Sequence, residues 1–131
     1  MSDAAAMVAF LDAMLDADEA AARESYYEGQ RWITEEEGVY RYPDDELVHS
    51  ADRKADARHI ARHDPARVLR EVEAKRKIVT RYERAAAIPP SIAAFTRGQD
   101  DGYREACLDA VQDLTAVYAG EPGYGPAWAP A

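Results

Sequence analysis

Over residues 3–25 apolar side chains recur at helical spacing. Met7, Phe10, Leu11, Met14, Leu15, Ala21 and Ala22 form one stripe, while Asp12, Asp16, Glu19 and Arg23 fall largely off it. The pattern predicts an amphipathic helix that Ser2 or Asp3 can cap. Asp18 is out of place, because it sits on the apolar stripe between Met14 and Ala22. The pattern then changes period. Between 26 and 50 stand Tyr26, Tyr27, Trp32, Ile33, Thr34, Val39, Tyr40 and Tyr42, interrupted at Glu36-Glu37-Gly38 and Pro43-Asp44-Asp45. These interruptions are turn signals, and the runs between them suit short antiparallel strands near 31–35, 39–42 and 46–49. An irregular aromatic loop is the competing reading.

Residues 51–63 predict a short helix with Ser50 as its cap. Asp64-Pro65 starts the next helix, since proline at the first helical position gives up no bonded N–H. That helix should reach about Ala87, with Val68, Leu69, Val72, Val79 and Tyr82 on its apolar face. Glu71–Lys75 and Glu73–Lys77 are supporting i,i+4 pairs, worth about 0.2–0.5 kcal/mol each. Pro89-Pro90 stops it, and 89–98 read as a connection. A final helix is expected over 100–119, with Tyr103, Cys107, Leu108, Val111, Leu114 and Val117 or Tyr118 facing inward and Gly120 ending it. Residues 121–131 hold three prolines, Tyr124 and Trp128, a composition suited to an extended strap whose rings dock on the body. The expected fold is mainly α: one four-helix domain over 1–131, with a short antiparallel β or aromatic-loop insert after the first helix.

Composition narrows the class. A chain of 131 residues, 47% hydrophobic and 31% charged, supports one modest core rather than disorder. One cysteine, Cys107, precludes an internal disulfide and fits a reducing compartment. No run approaches a membrane span, and the first residues lack the pattern of a secretory signal, so a cytoplasmic setting is expected.

Net charge is −9, unevenly spread. Residues 53–84 hold 11 of the 16 lysines and arginines and 5 of the 25 acidic residues, +6 against −15 for the remainder. One reading is internal compensation, with acidic helices flanking a basic one. The other is a basic face for phosphate or for an acidic partner, which includes a second copy of this acidic chain. Arg67, Arg70, Lys77, Arg81 and Arg84 share a broad outer sector of the predicted helix and are the candidate partner-binding residues. Nucleic-acid binding through 53–84 is a third possibility, opposed by the surrounding −15.

The segment Ala57-Arg58-His59-Ile60-Ala61-Arg62-His63-Asp64-Pro65-Ala66-Arg67-Val68-Leu69-Arg70-Glu71-Val72-Glu73-Ala74-Lys75-Arg76-Lys77-Ile78-Val79 resembles the signature of a family of short uncharacterised proteins from high-GC actinobacteria and their phages. Phe10-Leu11 with Leu15-Asp16-Ala17-Asp18-Glu19 resembles that family's opening helix. Tyr118-Ala119-Gly120-Glu121-Pro122-Gly123-Tyr124, with Trp128 and Pro130, resembles its closing strap. The resemblance covers about a third of the chain. Two departures stand out: the Cys-rich insertion of many members is absent, leaving Cys107 alone, and the strap's usual aspartate and histidine are replaced near Gly120 and Glu121. The resemblance implies an origin and a cytoplasmic setting, and no activity.

Candidate chemistry is sparse. His59 and His63, at i and i+4, share a helix face and are a candidate divalent-metal pair of zinc-like type, with Asp18 as third ligand and Asp64 as a further candidate. Against this, a helix break at Asp64-Pro65 would spoil their geometry, and no glutamate follows His59 as in zinc proteases. The structural alternative has His59 bonded to Asp18 or a carbonyl and His63 packed at the helix junction. His63-Asp64 evokes HD-type phosphohydrolases, with His49 the only further histidine. Asp18 is the one carboxylate that the pattern places in the interior, so it is the acid–base candidate, with a salt bridge to 53–84 as its structural role. Asp16 and Glu19 resemble one acidic pair of helical nucleotide pyrophosphatases, but Glu71 and Glu73 lack the matching spacing. Cys107 on an apolar stripe reads as a core thiol. Ser25, Ser50 and Ser91 sit at joints and loops without a motif. No complete catalytic set is present, which favours a non-enzymatic accessory or interaction protein, with a metal-dependent hydrolase as the alternative.

Overall fold

The computed structural model describes residues 2–131. Helix α1 is Asp3–Ser25, and three strands follow: β1 Arg31–Glu35, β2 Gly38–Tyr42 and β3 Glu46–Ser50. Then come α2 Lys54–Arg62, α3 Pro65–Ala86, α4 Ala94–Ala116 and a 3₁₀ turn, Pro126–Trp128. The chain divides into two compact units, one made of Met1–Asp16 with Glu73–Ala131 and the other of Ala17–Val72. Helices α1 and α3 therefore each contribute to both.

In the unit of Ala17–Val72 the strands form an antiparallel meander in the order β1-β2-β3. Arg31 faces Tyr42 and Glu35 faces Gly38, with an irregularity at Val39/Tyr40 where β2 meets β3. A sheet this small needs a covering layer. Helix α2 packs on β1 and β2 and supplies it. Val39 and Ala57 are wholly buried. A Cβ at Gly38, at the start of β2, would meet the Tyr40 ring at 2.5 Å, so glycine there leaves room for that ring. The turn residue Glu36 takes φ 54° and pairs with Lys54 at the start of α2.

Asp64 is the hinge of this unit. Its Oδ1 accepts the Arg67 N–H at 2.9 Å, capping α3, and its Oδ2 accepts the Trp32 N–H of β1 at 3.1 Å. Both carboxylate oxygens are thus engaged, and a buried carboxylate is tolerated on those terms. This corrects the expectation that Asp18 is the interior carboxylate: Asp64 is buried and Asp18 half-buried. The α2 cap is also corrected. Ser50 ends β3, and the Ala51 N–H still bonds Glu37 O at 2.8 Å, holding the chain to the sheet. Arg53 occupies the N-cap position instead, and its guanidinium reaches forward to both Asp56 oxygens, at 3.1 and 2.9 Å. That contact raises the Arg53 pKa and lowers that of Asp56.

In the other unit Leu11, Leu15 and Val111 are fully buried, with Met7, Val79, Ala85 and Tyr118 nearly so. Each large aliphatic side chain so buried contributes about 1.5–3 kcal/mol. Thr115 is buried without penalty, since its hydroxyl donates to Val111 O at 2.7 Å. The C-terminal strap lies against α1 and α4. Trp128 is buried, 5.4 Å from the Phe10 ring and 5.6 Å from that of Tyr124. Its indole N–H donates to Asp3 Oδ1 at 2.9 Å, and Gln112 donates to the carbonyls of Trp128 and Ala129. Helix α4 begins six residues before the expected boundary, taking in much of the stretch read as a connection. Just past its end Tyr118 faces in and Val117 out.

Candidate functional site

The end of α3 and the start of α4 form the least covered apolar surface of their unit. Ile88, Ile92, Phe95 and Tyr103 are 39, 100, 79 and 52% exposed. Single exposed apolar residues are ordinary, but four within sixteen positions around one helix–helix corner are not. Beside them runs an open groove of about 470 Å³, lined by Ile78 and Arg81 of α3 and by Tyr103, Ala106, Cys107 and Ala110 of α4. Cys107 is a half-buried wall residue of this groove rather than a fully enclosed core thiol. Sequence reasoning missed the corner because it assigned Ile92 and Phe95 to a connection. Their large apolar side chains beside Pro89-Pro90 were the available signal.

The five candidate partner-binding cations are not equivalent. Arg67 is half-buried and occupied, with its Nε on Glu71 at 2.9 Å and Nη1 on Arg62 O at 3.2 Å. Lys77 pairs with Glu73 at 3.5 Å. Arg70, Arg81 and Arg84 have no ion pair within the chain among the described residues. Arg67 and Arg70 belong to one unit and Lys77, Arg81 and Arg84 to the other, where Arg81 lines the groove.

The candidate metal residues are partly assembled. α2 ends at Arg62, and His63 is its C-cap, yet the two imidazoles still lie 4.6 Å apart between centroids. His63 Nδ1 lies 2.9 Å from His59 O. A carbonyl only accepts, so Nδ1 carries the proton and Nε2 holds the lone pair when the ring is neutral. His63 and Asp18 line one open groove of about 290 Å³ together with Trp32, Ser25 and Val68. His59 is not on its wall. Among the described residues no group of three His, Cys, Asp or Glu side chains is close enough to hold one ion. Asp64 is committed to two backbone N–H groups, and His49 lies on β3 opposite Val39.

Besides Asp56, one carboxylate outside these sets is perturbed. Burial raises the Asp12 pKa above its ordinary value, the Arg76 guanidinium lowers it in part, and Asp16 adds to the rise. Asp12 lines a shallow apolar groove of about 390 Å³ between α1 and α3, with Val8 and Tyr82. Arg76 donates to Asp16 at 2.8 Å. The stripe alone could not find Asp12, because it lies at the stripe's edge, where the neighbouring helix decides exposure.

Residues 4–130 match a family model described as a family of unknown function, DUF6221. The chain belongs to this family. No curated protein and no solved structure matches it. No helix among the described residues is long and apolar enough to cross a membrane.

Proposed function

We propose that this DUF6221 protein is a non-enzymatic accessory protein that docks a protein partner at the α3–α4 corner. The observation that carries this reading is the exposed cluster Ile88, Ile92, Phe95 and Tyr103 beside a groove that Arg81 lines. An apolar centre with a basic edge matches the composition of protein–protein surfaces, where aromatic residues and arginine supply most of the energy. Arg84, one turn beyond Arg81, extends the basic edge. The resemblance to actinobacterial and phage proteins supports a mobile-element setting, and the single cysteine fits the cytoplasm. Nucleic-acid binding through 53–84 gains less support, because Glu71 and Glu73 already engage Arg67 and Lys77.

The test is a photo-crosslinking side chain placed at Phe95 and, separately, at Tyr103, irradiated in native cells. The expected result is a discrete protein adduct from both positions and none from the same group at Gly120. No adduct from either position contradicts the reading.

A metal-dependent role is the second reading. It is favoured by one observation: His63, with Nε2 as its free lone pair, shares a groove with Asp18. A histidine that donates its other nitrogen to a carbonyl is oriented as metal ligands commonly are. Zinc, manganese or iron bound at one equivalent by the untagged protein, and lost in both His59→Ala and His63→Ala, supports it. Binding unchanged in these variants contradicts it.

A further inference from the structure

Two buried polar atoms in the unit of Ala17–Val72 have no hydrogen-bond partner within the chain: Gln30 Oε1 and Arg41 Nε. Burying such a group unpaired is costly, and folded proteins satisfy nearly all of them. Gln30 stands one residue before β1, and Arg41 lies on β2. Both side chains line one small cavity of about 10 Å³, which Ser25, Tyr27, Trp32 and Pro65 also border.

Each side chain is held by a contact of its own. Gln30 Nε2 donates to Asp44 Oδ2 at 2.9 Å. A carboxylate only accepts, so the amide cannot turn over without setting oxygen against oxygen, and Oε1 keeps its place. The Arg41 guanidinium lies over the Tyr27 ring, 4.5 Å from its centroid, a cation–π contact that restrains it. The two residues therefore bring one fixed acceptor and one fixed N–H donor to the same cavity without bonding each other.

The chemistry of this pair selects what can join it. A metal ion or an ammonium has no lone pair for the Arg41 Nε–H. A halide or a carboxylate anion has no hydrogen for Gln30 Oε1. Water has both, and room of roughly 10–15 Å³ for its centre is what one water molecule needs. The geometry points to a structural water that donates to Gln30 Oε1 and accepts from Arg41 Nε, joining the segment after α1 to β2. Such a bridge is nearly as favourable as a direct hydrogen bond.

The site has a consequence for its neighbour. Ser25, Trp32 and Pro65 border this cavity and also the groove shared by His63 and Asp18. The bound water backs the wall of that groove and is no ligand within it. It holds whether or not the groove takes a metal.

The test is oxygen-17 magnetic relaxation dispersion of the full chain, which counts long-held internal waters and is blind to exchanging hydroxyl hydrogens. The wild type is compared with Gln30→Met, which removes the acceptor, and with Arg41→Met, which removes the donor. Each variant should lose the amplitude of one long-held water. Wild type without dispersion overturns the inference, as does a folded variant whose amplitude equals that of wild type. Where either variant unfolds, the wild type decides alone, through NOE and ROE transfer from water to the Arg41 Nε–H. Cross-peaks of opposite sign in the two experiments are expected from a held water. Peaks of the same sign, the mark of hydrogen exchange, or no peaks, overturn the inference.

Discussion

The two halves of α4 are built to opposite ends. From Cys107 onward the helix is held. Val111 and Thr115 have no exposed surface, Gln112 grips two carbonyls of the strap, and Trp128 closes over Phe10. From Ala94 to Tyr103 almost nothing is covered. Phe95 is 79% exposed, and both helical glycines face open space. The second half earns its order from tertiary packing, as most protein helices do, whereas the first has only helix propensity and the anchored half behind it. A segment with large apolar side chains and weak intrinsic helicity, left uncovered, is a poor structural element and a reasonable docking element.

The contrast can be broken most severely through the strap. Trp128→Ala removes the ring that covers Phe10 and leaves Asp3 without its indole donor. It should cost about 3–5 kcal/mol in urea unfolding. Next comes the backbone beneath that ring. Gly125→Ala would set a Cβ 2.7 Å from the Trp128 indole, and displacing the ring should cost about 1–3 kcal/mol. Glycine substitution in the other half should have the reverse sign. Gly98→Ala with Gly102→Ala, measured at dilution, should stabilise the monomer by about 0.5–1 kcal/mol per site. A destabilised double alanine variant would mean that the first half of α4 is packed after all.

The smallest effect isolates a carboxylate outside α4. Because burial raises the Asp12 pKa, the folded state binds its proton more tightly than the unfolded state does. The contribution is therefore complete below the unfolded value near 3.8 and is lost as pH rises through the raised folded pKa. Asp12→Asn should remove that decline, so that the variant gains on wild type as pH rises through this window. A thermal-unfolding pH series checks it, and identical profiles for the two proteins would contradict it.

What was legible in the sequence follows the same division. Asp64-Pro65 announced the start of α3 correctly, because a cap and an N1 proline act locally. The strand positions were visible from turn residues and aromatic runs. The helices that pack on something showed their stripes. Ser50 misled, because a residue suited to capping is equally suited to ending a strand, and only the bond from Ala51 to Glu37 decides between them. The start of α4 was hidden for a physical reason. Gly98 and Gly102 lower helix propensity where no buried stripe raises the signal, so Ala94–Gly98 read as part of a connection. The metal candidates were legible as residues and not as geometry. His59 and His63 meet at the end of α2, but which of them shares a groove with Asp18 depends on where β1 places Trp32.

The central claim is that one half of α4 belongs to the fold and the other to a partner. The most direct measurement is amide hydrogen exchange along α4 in the full chain, alone and with the protein captured from Phe95. The account predicts slow exchange over 107–116 in both states, and fast exchange over 94–103 in the free chain that becomes slow when that protein is bound. Slow exchange over 94–103 in the free chain, or fast exchange there that the bound protein leaves unchanged, would contradict it.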